Sequence, residues 1–175
     1  AGAKNYKDYS LRILKICKKK PISFEVFADN PKDMLKQAYK INSWGKNVYV
    51  KIPVVNSRGI FTGSVIKELS DKGIKLNITA VYTFEQTAKI YKKLNKKTKS
   101  IISIFAGRMA DKGKDPLPIF KKSISLTRKD KNTQWGDDMG FKCAIKSIYS
   151  KYPSFIQSIN FCLSASDKLP EGGIR

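Results

Sequence analysis

Short apolar runs rich in valine and isoleucine alternate along the chain with longer segments whose apolar residues recur every three or four positions. The runs read as strands: "ISFEVF" (22–27), "VYVKIPVV" (48–55), "IKLNITAVY" (74–82) and "SIISIFAG" (100–107). The segments between them read as helices. "YKDYSLRILKIC" sets Leu11, Ile13, Leu14, Ile16 and Cys17 at helical spacing. "NPKDMLKQAYKINSWG" has Asn30 as N-cap, Pro31 at the first helical position and Gly45 as its stop, with Met34, Leu35, Ala38 and Ile41 as the inner stripe. "SVIKELSDKG" is a short helix. Thr83 opens another, with Gln86 at the capping-box position. "GRMADKGKDPLP" reads as a loop and "IFKKSISLTRK" as a helix. Farther on, "NTQW" reads as a short strand, "DMGFKCAIKSIYSKY" as a helix and "QSINFCLSA" (157–165) as a closing strand.

Strand starts recur about every 25 to 28 residues, the length of a parallel βα unit. Doubly wound sheets and (β/α)8 barrels both fit this pattern. A barrel needs eight strands, and six are read here, behind an opening helix.

The polar residues on these strands stand out against their surroundings. Glu25 lies among Phe24, Val26 and Phe27, and Lys51 lies in the most hydrophobic strand. Asn77 and Thr79 share one parity, Ser103 interrupts a run of isoleucines, and Arg108 follows that run. Each has a bland reading. Lys51 could snorkel to water from a strand end. Glu25 could pair with a lysine, Asn77 and Thr79 could satisfy backbone groups, Ser103 could fill a tight layer, and Arg108 could be a loop cation. The sharper reading of Lys51 is a nucleophilic amine in apolar surroundings. The recurrence of such residues on four consecutive strands favours a common pocket at the strands' C-terminal ends.

Composition narrows the chemistry. The 175 residues contain no histidine, which excludes Ser-His-Asp and Cys-His catalysis and any histidine-bound metal. Acid–base steps fall to carboxylates, lysine, tyrosine or water. The three cysteines, Cys17, Cys143 and Cys162, are widely spaced, so reduced thiols in a cytoplasmic protein are expected. No apolar run is long enough to span a membrane, and the first residues show no secretory pattern. With 35 Lys and Arg against 14 Asp and Glu, the net charge is +21, a field that draws anions. The lysines are scattered in a way that suggests solvated faces. No RNA-binding or zinc-finger signature accompanies them, so a nucleic-acid partner is not expected.

The succession "ISFEVFADNPKDMLKQA", "NVYVKIPVVNSRG", "VIKELSDKGIKLNITAVYTFEQT" and "SIFAGRMADKGKDP" closely resembles the transaldolase family, including its small fructose-6-phosphate-aldolase-like members. The match is clear to about residue 130, and residues 131–175 diverge within what reads as one domain, 1–175. The resemblance implies an α/β fold, the class I aldolase-type (β/α)8 TIM barrel, and a transferase of carbohydrate metabolism in the pentose phosphate pathway. It implies transfer of a dihydroxyacetone unit between sugar phosphates (fructose 6-phosphate, and erythrose 4-phosphate or glyceraldehyde 3-phosphate) with no cofactor and no metal. Residue by residue, it implies that Lys51 forms the Schiff base. Glu25 is the acid/base acting through a water that Thr79 holds. Asn77 and Ser103 line the substrate site, and Arg108 grips the phosphate.

Two departures go with the resemblance. The family's first two strands, one carrying an acid/base aspartate and the other a Thr-Asn-Pro-Ser-type segment, would precede Ala1. The arginine of its seventh strand has no counterpart in "NTQWGDDMGF". These departures raise three further expectations. One is a shortened barrel completed by a homo-oligomer, and another is weakened activity. The third is an inactive remnant that binds sugar phosphates or other polyanions.

Overall fold

The computed structural model describes residues 5–128 and 130–137. Among these residues, five strands form one parallel sheet in the order β1-β2-β3-β4-β5: β1 (Ile22–Glu25), β2 (Val48–Pro53), β3 (Leu76–Val81), β4 (Ser100–Ile104) and β5 (Thr133–Asp137). The helices are α1 (Tyr6–Ile16), α2 (Pro31–Asn42), α3 (Gly63–Asp71), α4 (Phe84–Lys93), α5 (Ala106–Ala110) and α6 (Leu117–Thr127). The strand order never reverses. Right-handed crossovers in one direction place the connecting helices on one face of the sheet, whereas a doubly wound sheet reverses and covers both. The fold is therefore an arc of a (β/α)8 barrel. The expected strand 157–165 and the helix before it lie outside the described residues.

Strand alternation separates two environments. Val48, Val50, Ile52, Leu76, Ile78, Ile102 and Ile104 are fully buried and pack with Met34, Ala38, Ile66, Leu69 and Ile90 from the helices. The other parity presents Ser23, Glu25, Lys51, Asn77, Thr79 and Ser103.

Helix starts follow the local sequence closely. The Asn30 side chain accepts from Asp33 N–H, and Thr83 and Gln86 form a reciprocal capping box. Helix ends follow it less well. Helix α2 stops at Asn42 with Ser43 as C-cap, three residues before Gly45. Residues 106–110, expected in strand and loop, form the short helix α5. The predicted stripe of α1 is only half covered: Ile16 is 83% exposed, and the buried position is Ser10, whose hydroxyl donates to Tyr6 C=O.

Strand β3 carries one irregularity. Ile78 faces Ile102 and Val81 faces Ile104, so two residues on β3, Thr79 and Ala80, oppose one on β4, Ser103. Ala80 takes up the extra residue at φ 59, a left-handed conformation that costs a residue with a Cβ about 1 kcal/mol or more. The bulge lets Asn77 and Thr79 share the polar face while Val81 returns to the apolar one. Ala80→Gly relieves the left-handed strain and is expected to stabilise the chain by about 0.5–1 kcal/mol, a rise of a few degrees in melting midpoint. Ala80→Val should lower it by at least as much.

Candidate active site

The register aligns Glu25 of β1 with Lys51 of β2, and Lys51 with Asn77 of β3. Three polar side chains thus stand side by side on neighbouring parallel strands, about 4.8 Å apart along the hydrogen-bonding direction. The Lys51 ammonium lies 3.8 Å from Glu25 Oε2, close enough for attraction and too far for a direct hydrogen bond. The lysine side chain is 25% exposed and the glutamate 42%, so both are open to a ligand arriving from solvent. Two pairs farther along, on the same face, Thr79 faces Pro53 and is buried.

Asn77 connects β4 to the more distant β1. Its Oδ1 accepts from the Ser103 hydroxyl at 2.8 Å, and its Nδ2 donates to Ser23 Oγ at 2.9 Å. These two bonds fix which way the amide points and tie β4 to β1 across the intervening strands. Ser23 was missed in the sequence. It sits two residues before Glu25 on the same strand face, so simple alternation could have found it.

Tyr6 was also missed, and no sequence signal pointed to it. Its hydroxyl accepts from Glu25 N–H at 2.9 Å, on the edge of β1 turned away from β2. Burial and the nearby Glu25 carboxylate push the phenol's pKa up, partly offset by that N–H, so it stays a neutral hydroxyl. Tyr49, two residues before Lys51, is buried, and burial raises its pKa too.

Arg108 does not join this network. It is exposed on α5, beyond the end of β4, and makes no ion pair or side-chain hydrogen bond among the described residues. It stands at the same end of the sheet as Lys51, where an arginine can meet an anionic group of a ligand that extends outward. The loop after β1 is clamped there to the loop after β2. Asp29 accepts from both the backbone N–H and the hydroxyl of Ser57 at 2.7 Å, which hold its carboxyl below the usual pKa.

An amine beside a carboxylate, an oriented amide with two hydroxyls, and an exposed guanidinium at one end of a parallel βα arc form a set suited to carbonyl and phosphate chemistry. The model of the family described as transaldolase/fructose-6-phosphate aldolase matches residues 7–158. The chain belongs to this family. It is 30% identical to a probable transaldolase of Dehalococcoides mccartyi over 126 residues, 71% of this chain and 54% of that protein. A probable transaldolase of Streptococcus equi is 36% identical over 112 residues, 63% of this chain and 49% of the relative. One from Lactiplantibacillus plantarum is 30% identical over 137 residues, 78% of this chain and 55% of the relative. The chain thus spans about half the length of the curated relatives it matches. All six residues singled out in the sequence fall within the segment that the family model matches. Among the described residues, no helix is long and apolar enough to cross a membrane.

Proposed function

We propose that this transaldolase-family chain forms a Schiff base between Lys51 and the carbonyl of a ketose phosphate such as fructose 6-phosphate. On this reading it contributes that step to transfer of a dihydroxyacetone unit in cytoplasmic pentose phosphate metabolism. The observation that carries the reading is the alignment of Glu25, Lys51 and Asn77 across three adjacent strands, with the amine 3.8 Å from the carboxylate.

The amine adds to the C2 carbonyl to give a carbinolamine. Loss of water then gives an iminium, and the nitrogen supplies both electrons of the new C–N bond. Protons must reach the departing oxygen and leave the nitrogen. Glu25 serves this exchange through a water held by the Thr79 hydroxyl. Asn77 and Ser103 bind substrate hydroxyls in the orientation that their mutual hydrogen bond sets. Arg108 pairs with the substrate phosphate outside the pocket. The iminium then accepts the electrons of the C3–C4 bond as that bond breaks, the C4 hydroxyl gives up its proton to water, and the C4–C6 fragment leaves as an aldose phosphate. An enamine stays on Lys51 until an aldose phosphate takes the three-carbon unit, and hydrolysis frees the amine.

Incubation with fructose 6-phosphate followed by borohydride reduction tests this directly. The expected result is one stoichiometric adduct in the intact mass, mapped by peptide mass to Lys51. A folded sample that shows no adduct, or adducts spread evenly over many lysines, overturns the proposal and leaves an anion-binding barrel fragment.

A further inference from the structure

The positive charge of this protein is not concentrated where a sugar phosphate would be bound. The segments at the C-terminal end of the sheet, where Lys51 opens, carry Arg58, Arg108, Lys112 and Lys114 against Asp29, Asp111 and Asp115. They nearly balance. The loops at the opposite end do not. Residues 17–21 contribute three lysines, 43–47 one, 72–75 two and 94–99 three, and the described residues of 128–132 contribute a lysine and an arginine. Of the acids at this end, Asp130 accepts from Asn132 N–H and the Thr133 hydroxyl, while Asp71, the last residue of α3, accepts from the Lys67 ammonium and from Asn95 Nδ2. The scatter in the sequence thus resolves into a cationic end, because each αβ turn returns to the same side of the sheet.

Helix dipoles explain only part of it. Lys15, Lys40, Lys92 and Lys93 lie in last helical turns, where a cation is favourable. The loop lysines come on top of these and crowd one another. Burial and the neighbouring Lys99 hold the Lys75 ammonium below its usual pKa. Such crowding costs stability unless an anion relieves it.

We infer that this end of the barrel is a docking surface for nucleic acid, held through backbone phosphates and without base readout. Three features select this partner. The cations are almost all lysines, point charges that neutralise phosphates and lack the fork that reads guanine. Apart from Ile16 at the end of α1, 83% exposed, and the partly exposed Ile124 and Leu126 of α6, these loops and helix ends expose no large apolar side chain among the described residues, which is little for a membrane wedge or a protein anchor. The face spans five strands, about 20 Å at ~4.8 Å per strand, enough to meet about five phosphates of one strand. This reverses the expectation drawn from composition, because what composition hid was the segregation. The inference does not depend on the chemistry proposed for Lys51.

The test is fluorescence anisotropy of the full chain with a labelled mixed-sequence 20-nucleotide RNA. About five neutralised phosphates predict a slope of log K against log salt near −3.5, or about a 100-fold loss of affinity between ~50 and ~200 mM salt. Single-stranded DNA of the same sequence should bind within about threefold, since phosphates are the shared feature. Changing the exposed Lys18, Lys19, Lys72, Lys97 and Lys99 together to Glu should remove binding, while Lys112→Glu with Lys114→Glu at the other end should leave it unchanged. No RNA binding, equal loss in both variants, or tighter binding to phosphatidylserine vesicles than to RNA overturns the inference. The salt slope of the unmodified chain stands as a test even if the five-fold variant fails to fold.

Discussion

Lys51→Met is expected to abolish covalent capture of fructose 6-phosphate at position 51 while leaving the chain folded. The two readouts separate because the lysine's pair with Glu25 holds the fold only weakly. That pair is long at 3.8 Å, and both partners reach solvent. Pairs of that kind contribute about 1 kcal/mol at most. Methionine is unbranched, of similar length, and suits the apolar strand. An ordinary structural lysine would behave otherwise: its loss would lower the melting midpoint and leave capture by other lysines unchanged. Lys51→Arg sharpens the comparison. It keeps the positive charge, so anion attraction survives, yet a guanidinium cannot form the imine. Equal loss of borohydride-trapped adduct in both variants, with normal far-UV circular dichroism, is the expected outcome. Trapped adduct persisting in Lys51→Arg at the unmodified level would remove Lys51 from the chemistry.

The strands and helix starts were legible because their determinants are local. Asn30 followed by Pro31, and Thr83 followed three residues later by Gln86, state helix N-termini within four residues. Both caps form as read. The polar face was legible because alternation has a fixed period: Glu25, Lys51, Asn77 and Ser103 emerge on one side of the sheet as their parities require. Other features depend on residues far apart in sequence. Tyr6 meets Glu25 across 19 positions, and Asn77 meets Ser23 across 54. No periodicity encodes either contact. The bulge at Ala80 was hidden because alanine gives no sign of a left-handed backbone, as a glycine would have done. The cationic end was hidden for the same kind of reason. Lysines far apart in the chain become neighbours only when successive βα units bring every αβ turn to one side.

Glu25→Gln is expected to slow imine formation at saturating ketose by about 100-fold, the range typical of a lost general acid–base group. The amide keeps the shape and a hydrogen-bonding tip but cannot shuttle a proton between carbinolamine oxygen and nitrogen. Thr79→Val should slow the same step by about tenfold, because the hydroxyl only positions the water. The decisive quantity is their coupling. Two residues acting through one water form a unit, and once the carboxylate is gone the water's position no longer matters. The double variant should therefore be no slower than Glu25→Gln alone, where independent roles would multiply to about 1,000-fold. Borohydride quench-flow of the adduct on Lys51 reads each rate without requiring the complete transfer cycle. The buried position of Thr79 makes a control necessary: Thr79→Ser keeps the hydroxyl and should trap at close to the unmodified rate, so a slow Thr79→Val cannot be put down to lost packing. Multiplicative losses in the double variant would mean that Glu25 acts on the substrate directly, as its 42% exposure permits, with Thr79 serving the strand rather than the water.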